Sequence, residues 1–102
     1  MLRTTDDLKF DTDVNSAPLV LVEFGGTWCP PCKALKPTLE AMSAERPEVP
    51  VLYVDVDESQ AVTQRFGVRS IPTLIAFRNG KATGQIIGAV PRPKIEALLS
   101  QR

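Results

Sequence analysis

Histidine is absent from this 102-residue chain. That gap removes imidazole acid–base catalysis, Cys–His nucleophiles and histidine metal ligands together. Cysteine occurs only twice, too few for a tetrathiolate zinc site or the dense framework of a small secreted scaffold. One Trp, one Tyr and four Phe do not make a base-stacking platform. No apolar run reaches the roughly 18–20 residues of a membrane span. The opening Met1-Leu2-Arg3-Thr4-Thr5-Asp6-Asp7 is charged and has no apolar signal core. Charge of one sign is also lacking, since twelve Lys+Arg balance twelve Asp+Glu. The mild acidic-to-basic skew along the chain suits neither a nucleic-acid footprint nor a polybasic membrane anchor. The reading is therefore of one compact domain over residues 1–102, with no nucleic acid, membrane or metal partner and a reducing cytoplasm as its address.

Within that frame the chain alternates between apolar runs and helical stripes. Residues 1–16 are weakly patterned and read as a short helix around Leu8, Phe10 and Val14. Leu19-Val20-Leu21-Val22-Glu23-Phe24 is nearly continuous apolar sequence, as a strand buried on both faces requires. Gly25-Gly26 ends it, and from Pro30 to about Arg46 the pattern turns helical, with Cys32, Leu35, Leu39 and Met42 on one stripe. Pro30 and Pro31 sit in the first turn, where a missing N–H costs little, while Pro37 in the interior predicts a kink. Residues 49–56 read as a strand and 58–66 as a short helix stopped by Gly67. Thr73-Leu74-Ile75-Ala76-Phe77-Arg78 reads as a third strand, and Asn79-Gly80 as a hairpin turn into Ala82–Ile87. Ile95, Leu98 and Leu99 mark a closing amphipathic helix. This order predicts an α/β fold with a central mixed sheet flanked by helices on both faces.

The chemistry gathers at Cys29 and Cys32, three residues apart between a buried strand and a helix start. Across one turn their Cα atoms can come within the roughly 4.4–6.8 Å that a disulfide needs. The helix start favours a thiolate at Cys29. The apolar stripe carries Cys32 inward, so Cys29 is expected exposed and attacking, and Cys32 shielded and resolving. A structural staple, or half of an intermolecular zinc site, is the plainer alternative, but so short a loop constrains the unfolded chain little. Reversible dithiol–disulfide exchange is the stronger reading.

Glu23 is the one ionisable residue in its strand, and both alternating sets around it are apolar. A carboxyl buried there resists ionisation, so it can exchange a proton near neutral pH. Trp28, immediately before the pair, is expected to border the sulfurs and line a docking face rather than the core. Lys33 and Lys36 read as a solvated helix surface.

Trp28-Cys29-Pro30-Pro31-Cys32-Lys33, Pro37, Arg69-Ser70-Ile71-Pro72-Thr73, Phe77-Arg78-Asn79-Gly80 and Gly88-Ala89 together resemble the thioredoxin family, over nearly the whole chain after residue 5. The resemblance implies a thioredoxin-like fold and a small, monomeric protein-disulfide reductase without a bound cofactor. Its redox group would be a reversible Cys29–Cys32 disulfide, recharged from NADPH by a thioredoxin reductase. It implies that Pro72 is cis, and that Trp28, Pro30, Pro31, Ile71, Pro72, Ile87, Gly88 and Ala89 accept an extended substrate. It also implies that Glu23 stands where the family usually places a buried Asp serving the resolving cysteine.

Four departures stand out. Tyr53 replaces the lysine that usually faces the buried carboxylate, leaving only a phenolic hydrogen bond. Gly25 replaces an aromatic near the site. Pro30-Pro31 replaces the commoner Gly-Pro, so only Cys32 and later amides can hydrogen-bond the Cys29 sulfur. Met1–Arg3 leaves little room for a first strand, which is expected to be shortened or absent. These departures keep two alternatives in view: a dedicated redox partner with altered potential, and a non-catalytic binding or folding module.

Overall fold

The computed structural model describes residues 2–102, so Met1 lies outside the described residues. Its elements follow the chain as β1 (Arg3–Thr4), α1 (Phe10–Val14), β2 (Leu19–Gly25), α2 (Pro30–Glu45), β3 (Val51–Asp55), α3 (Gln60–Arg65), β4 (Thr73–Arg78), β5 (Lys81–Ile87) and α4 (Arg92–Leu99). The strands form one sheet in the order β1-β3-β2-β4-β5. β1, β3 and β2 run parallel, whereas β4 and β5 are antiparallel to their neighbours, so the sheet is mixed as its sequence predicts. The first strand is present but short: its two residues pair with Leu52 and Tyr53.

Strand β2 sits at the centre of the sheet because it is apolar on both sides. Val20, Val22 and Phe24 point into a cluster with Phe10, Val14, Leu52, Val62, Ile75 and Phe77. There Phe10, Phe66 and Phe77 meet at ring separations of 5.3–5.6 Å. Leu21 points the other way, into Leu35, Leu39 and Met42 of α2 and Ile95, Leu98 and Leu99 of α4. Alternation therefore puts Glu23 on the α2 side of the sheet, next after Leu21.

Helix α2 runs unbroken for 16 residues through Pro37, with Cys32, Leu35, Leu39 and Met42 as its buried stripe. The Asn79-Gly80 turn closes the β4–β5 hairpin with φ of 53° and 81°, the left-handed geometry that this dipeptide tolerates. No helix among the described residues is long and apolar enough to cross a membrane.

Candidate functional site around the Cys29–Cys32 pair

The end of β2 and the start of α2 place the two sulfurs. Cys29 is the N-cap of α2 in extended conformation, and Pro30 and Pro31 fill the first turn. Cys29 and Cys32 are joined as a disulfide with Cα atoms 5.2 Å apart, inside the window the spacing predicts. With both intervening N–H groups missing, the first amide to reach the Cys29 sulfur is that of Cys32, which donates to it at 3.2 Å.

The expected difference in exposure is not found. Cys29 is 2% exposed and Cys32 5% exposed, so in the disulfide form Cys29 is not the more open sulfur. The reason lies in its capping position. Its N–H donates to the Gly26 carbonyl at 3.3 Å, and its side chain turns back over the first helical turn toward Cys32. The exposure falls on its neighbours instead: Trp28 at 63%, with Pro30 and Pro31 also exposed.

On this front side the chain brings together segments far apart in sequence. The Ile71–Pro72 bond is cis, as the resemblance implies. The Pro72 carbonyl accepts the Gly88 N–H at 2.8 Å, which ties the proline turn to the end of β5. Ile71 and Trp28 converge on Gly26, where an added Cβ would stand 3.4 Å from Ile71 Cδ1 and 2.9 Å from Trp28 Nε1. Ile87 and Ala89 are exposed, and Ile71 and Gly88 half-buried. Pro72 is buried, so its ring does not belong to the exposed strip, unlike the other seven residues expected there.

One residue at this site escaped the sequence reading. The Trp28 indole N–H donates to Asp57 Oδ2 at 2.9 Å, across 29 residues of chain. The available signal was the acidic Asp55-Val56-Asp57-Glu58 run just after β3. Because β3 lies parallel to β2, its C-terminal loop must emerge beside the loop carrying Trp28. The Asp55 carboxylate shapes that loop by accepting the Asp57 and Glu58 N–H groups at 2.9 and 3.2 Å.

Behind the disulfide the surroundings are polar. The sheet register sets Thr4, Tyr53, Glu23 and Leu74 in one row across β1, β3, β2 and β4. Glu23 is 2% exposed, and its Oε2 has no hydrogen-bond partner. Burial pushes its carboxyl up to about 7, although Lys36 pulls the other way. The phenolic hydrogen bond expected from Tyr53 is therefore not made to Oε2. The Tyr53 ring leans over Gly25 instead, where an added Cβ would meet Tyr53 Cε1 at 3.1 Å, Cys32 Sγ at 3.2 Å and Glu23 Oε2 at 3.4 Å. Desolvation, with nearby carboxylates, raises the Tyr53 hydroxyl to about 12, so it stays protonated. A cavity of about 580 Å³ opens here, lined by Glu23, Cys32, Lys33, Lys36, Glu40 and Tyr53 among others.

A family model described as Thioredoxin matches residues 1–101. The chain belongs to the thioredoxin family. A thioredoxin of Chlamydia muridarum is 44% identical over 89 residues, 87% of each chain. One from Chlamydia trachomatis is 42% identical, over 99% of this chain and 98% of its own. Among solved structures, a Plasmodium falciparum thioredoxin superposes with a TM-score of 0.87 at 29% identity, covering 94% of this chain and 95% of that one. The protein is a thioredoxin-type disulfide oxidoreductase. Such proteins carry no cofactor, and the redox group is the protein's own Cys29–Cys32 disulfide. Family membership also implies disulfide-containing substrates and a reductase partner.

Proposed function

We propose that Cys29-Pro30-Pro31-Cys32 is the redox-active centre of a cytoplasmic, monomeric, single-domain protein-disulfide reductase recharged from NADPH by a thioredoxin reductase. The observation that carries this reading is the closed Cys29–Cys32 pair at the N-terminus of α2, directly after the central strand of a thioredoxin sheet. In the reduced protein the helix N-terminus and the Cys32 amide favour the Cys29 thiolate. That thiolate attacks one sulfur of a substrate disulfide, forming a mixed disulfide and releasing the other substrate sulfur as a thiolate. Cys32 then attacks the Cys29 sulfur, frees the second substrate thiol and regenerates the internal disulfide. Cys29 must open outward for the first step, because in the closed form it is covered.

Glu23 acts as the proton acceptor for Cys32 in that second step. Its buried carboxyl titrates near neutral pH, and it shares with Cys32 the space above Gly25. The substrate lies as an extended segment along Trp28, Pro30, Pro31, Ile71, Ile87, Gly88 and Ala89. Pro72 acts from below by holding Ile71 and Gly88 in place.

The decisive assay mixes the protein with NADPH, a thioredoxin reductase and a protein disulfide substrate, and compares it with Cys29→Ser. Turnover lost in the variant is the expected result. Turnover that requires a chemical reductant would replace thioredoxin reductase by a private electron donor. Equal activity of both proteins would remove the cysteines from the mechanism.

A further inference from the structure

The row that crosses the sheet behind the disulfide sets Tyr53 directly beside Glu23. Tyr53 on β3 is the register partner of Glu23 on one side and of Thr4 on the other, so these side chains leave the same face of the sheet. A Cβ built on Gly25 would stand 3.1 Å from Tyr53 Cε1, 3.2 Å from Cys32 Sγ and 3.4 Å from Glu23 Oε2. Ring, sulfur and carboxyl therefore close around one point, and they can do so because position 25 is a glycine. What the tyrosine brings to that point is ring carbon. Its hydroxyl makes no hydrogen bond to Glu23 Oε2, which has no partner, and desolvation with nearby carboxylates keeps that hydroxyl protonated. Tyr53 also lines the cavity of about 580 Å³. Glu23 lines it as well, yet is only 2% exposed. A carbon surface placed there excludes water and offers a carboxylate no donor in return.

We propose that Tyr53 is a positioning residue whose ring shuts cavity water away from Glu23 and holds the desolvated carboxyl against the Cys32 sulfur. Its use in the reaction rests on the proton-acceptor role given to Glu23 above. In that step the Cys32 S–H bond breaks, the proton goes to a Glu23 carboxylate oxygen, and the sulfur keeps the electron pair with which it attacks Cys29. The base is strong enough for this because it is dry. Other charges face the carboxyl. From α2 come Lys33, Lys36 and Glu40, of which Lys36 draws Glu23 toward its charged form. Asp55 lies two residues along β3, while β1 and β4 bring Thr4 and Leu74 to the row and no charge. Without the ring, water would join Lys36 in favouring the carboxylate, which would then ionise at lower pH and become a weaker base.

The test titrates the Glu23 carboxyl by carbon NMR in the oxidised wild type and in Tyr53→Phe, Tyr53→Ala and Tyr53→Thr. Tyr53→Phe keeps the ring and should titrate within about 0.3 pH unit of wild type. The two ringless variants should show a midpoint lower by about one pH unit or more. Threonine suits a strand and keeps the test informative where alanine does not fold. In single-turnover closure of the internal disulfide, the midpoint of the pH profile should move down with the titration in the ringless variants and stay in place in Tyr53→Phe. Ringless variants that titrate with the wild type overturn the proposal. A Tyr53→Phe midpoint that falls with theirs also overturns it, because the hydroxyl would then be the acting group. The titration needs neither the reductase nor any part for Glu23 in closure. Midpoints that move as expected beside an unmoved closure profile refute the acceptor role of the preceding section and leave the ring's hold on the carboxyl standing.

Discussion

The two sides of the disulfide are built from opposite materials. In front, Trp28, Pro30, Pro31, Ile87 and Ala89 form an exposed, mostly apolar strip held by backbone hydrogen bonds and one indole–carboxylate contact. Behind, ionisable groups surround a cavity and a carboxyl is buried without a partner for one of its oxygens. On the function proposed above, the contrast separates recognition from proton handling. An apolar strip releases water when an extended segment covers it, which suits a broad range of partners. A desolvated carboxyl gains nothing from shape, but its pKa moves into the range where it can exchange a proton with a thiol.

The largest expected effect falls where the two sides meet. Cys29→Ser should lower turnover of a protein disulfide by at least about 10³-fold in the coupled NADPH assay, because the nucleophile is lost. A residual rate within tenfold of wild type would show that neither side serves thiol chemistry.

Glu23→Gln breaks the rear side. The Glu23 carboxyl sits at about 7 when folded against 4.5 in the unfolded chain, so the folded state holds its proton more tightly between those values. Wild-type stability therefore falls as pH rises through that window, whereas the amide is indifferent. In urea unfolding of the oxidised proteins, the variant's advantage should grow from nil near pH 4 to about 3 kcal/mol near pH 8. Equal stabilities across that range would mean that Glu23 is not held neutral by burial. The same variant should slow closure of the internal disulfide after single turnover by about tenfold near neutral pH, and stopped-flow Trp28 emission would follow it.

Ile87→Asp breaks the front side. Placing a carboxylate in the apolar strip should raise KM for a protein disulfide roughly five- to thirty-fold, equivalent to about 1–2 kcal/mol. Reduction of a small reagent disulfide should change far less. Equal losses for both substrates would move protein docking elsewhere.

The smallest effect sharpens the comparison rather than breaking it. Asp57→Asn keeps a carbonyl acceptor for the Trp28 indole but removes its charge. Stability should fall by about 0.5–1 kcal/mol, and the redox-linked change in Trp28 emission should alter in size. Spectra superimposable with wild type in both redox states would place the indole outside the environment of the sulfurs.

The sheet was legible because its central strand is a short, nearly continuous apolar run closed by Gly25-Gly26, and burial on both faces keeps Val20, Leu21, Val22 and Phe24 dry. The same pattern marked Glu23 as buried before any neighbour was known, since neither face could be wet. The cysteine spacing and the Asn79-Gly80 turn are local signals whose geometry is set within a few residues, whereas the cis bond before Pro72 was expected only from the family resemblance. The first strand was expected to be shortened or absent, and the structure keeps it as two residues beside β3. By contrast, the burial of Cys29 depends on how a capping residue turns its sulfur over the first helical turn, and spacing does not show that. The hydrogen bond from Trp28 to Asp57 spans two loops that meet only because β3 lies beside β2.

What the amino-acid order determined by itself is therefore the set of local geometries and the patterns of dryness: a buried strand, an inward helical stripe, a dithiol one turn apart and a carboxyl with no wet face. Hydrophobic periodicity and short-range sterics act within one or two turns of chain, so they can be read one segment at a time. Only the tertiary structure decided that Tyr53 would occupy the space over Gly25, that Glu23 Oε2 would lack a partner, and that a cavity would open on Cys32 rather than Cys29. Those outcomes depend on which strands become neighbours and in what register. They are contacts between segments distant in sequence, and they take shape only when the sheet closes around them.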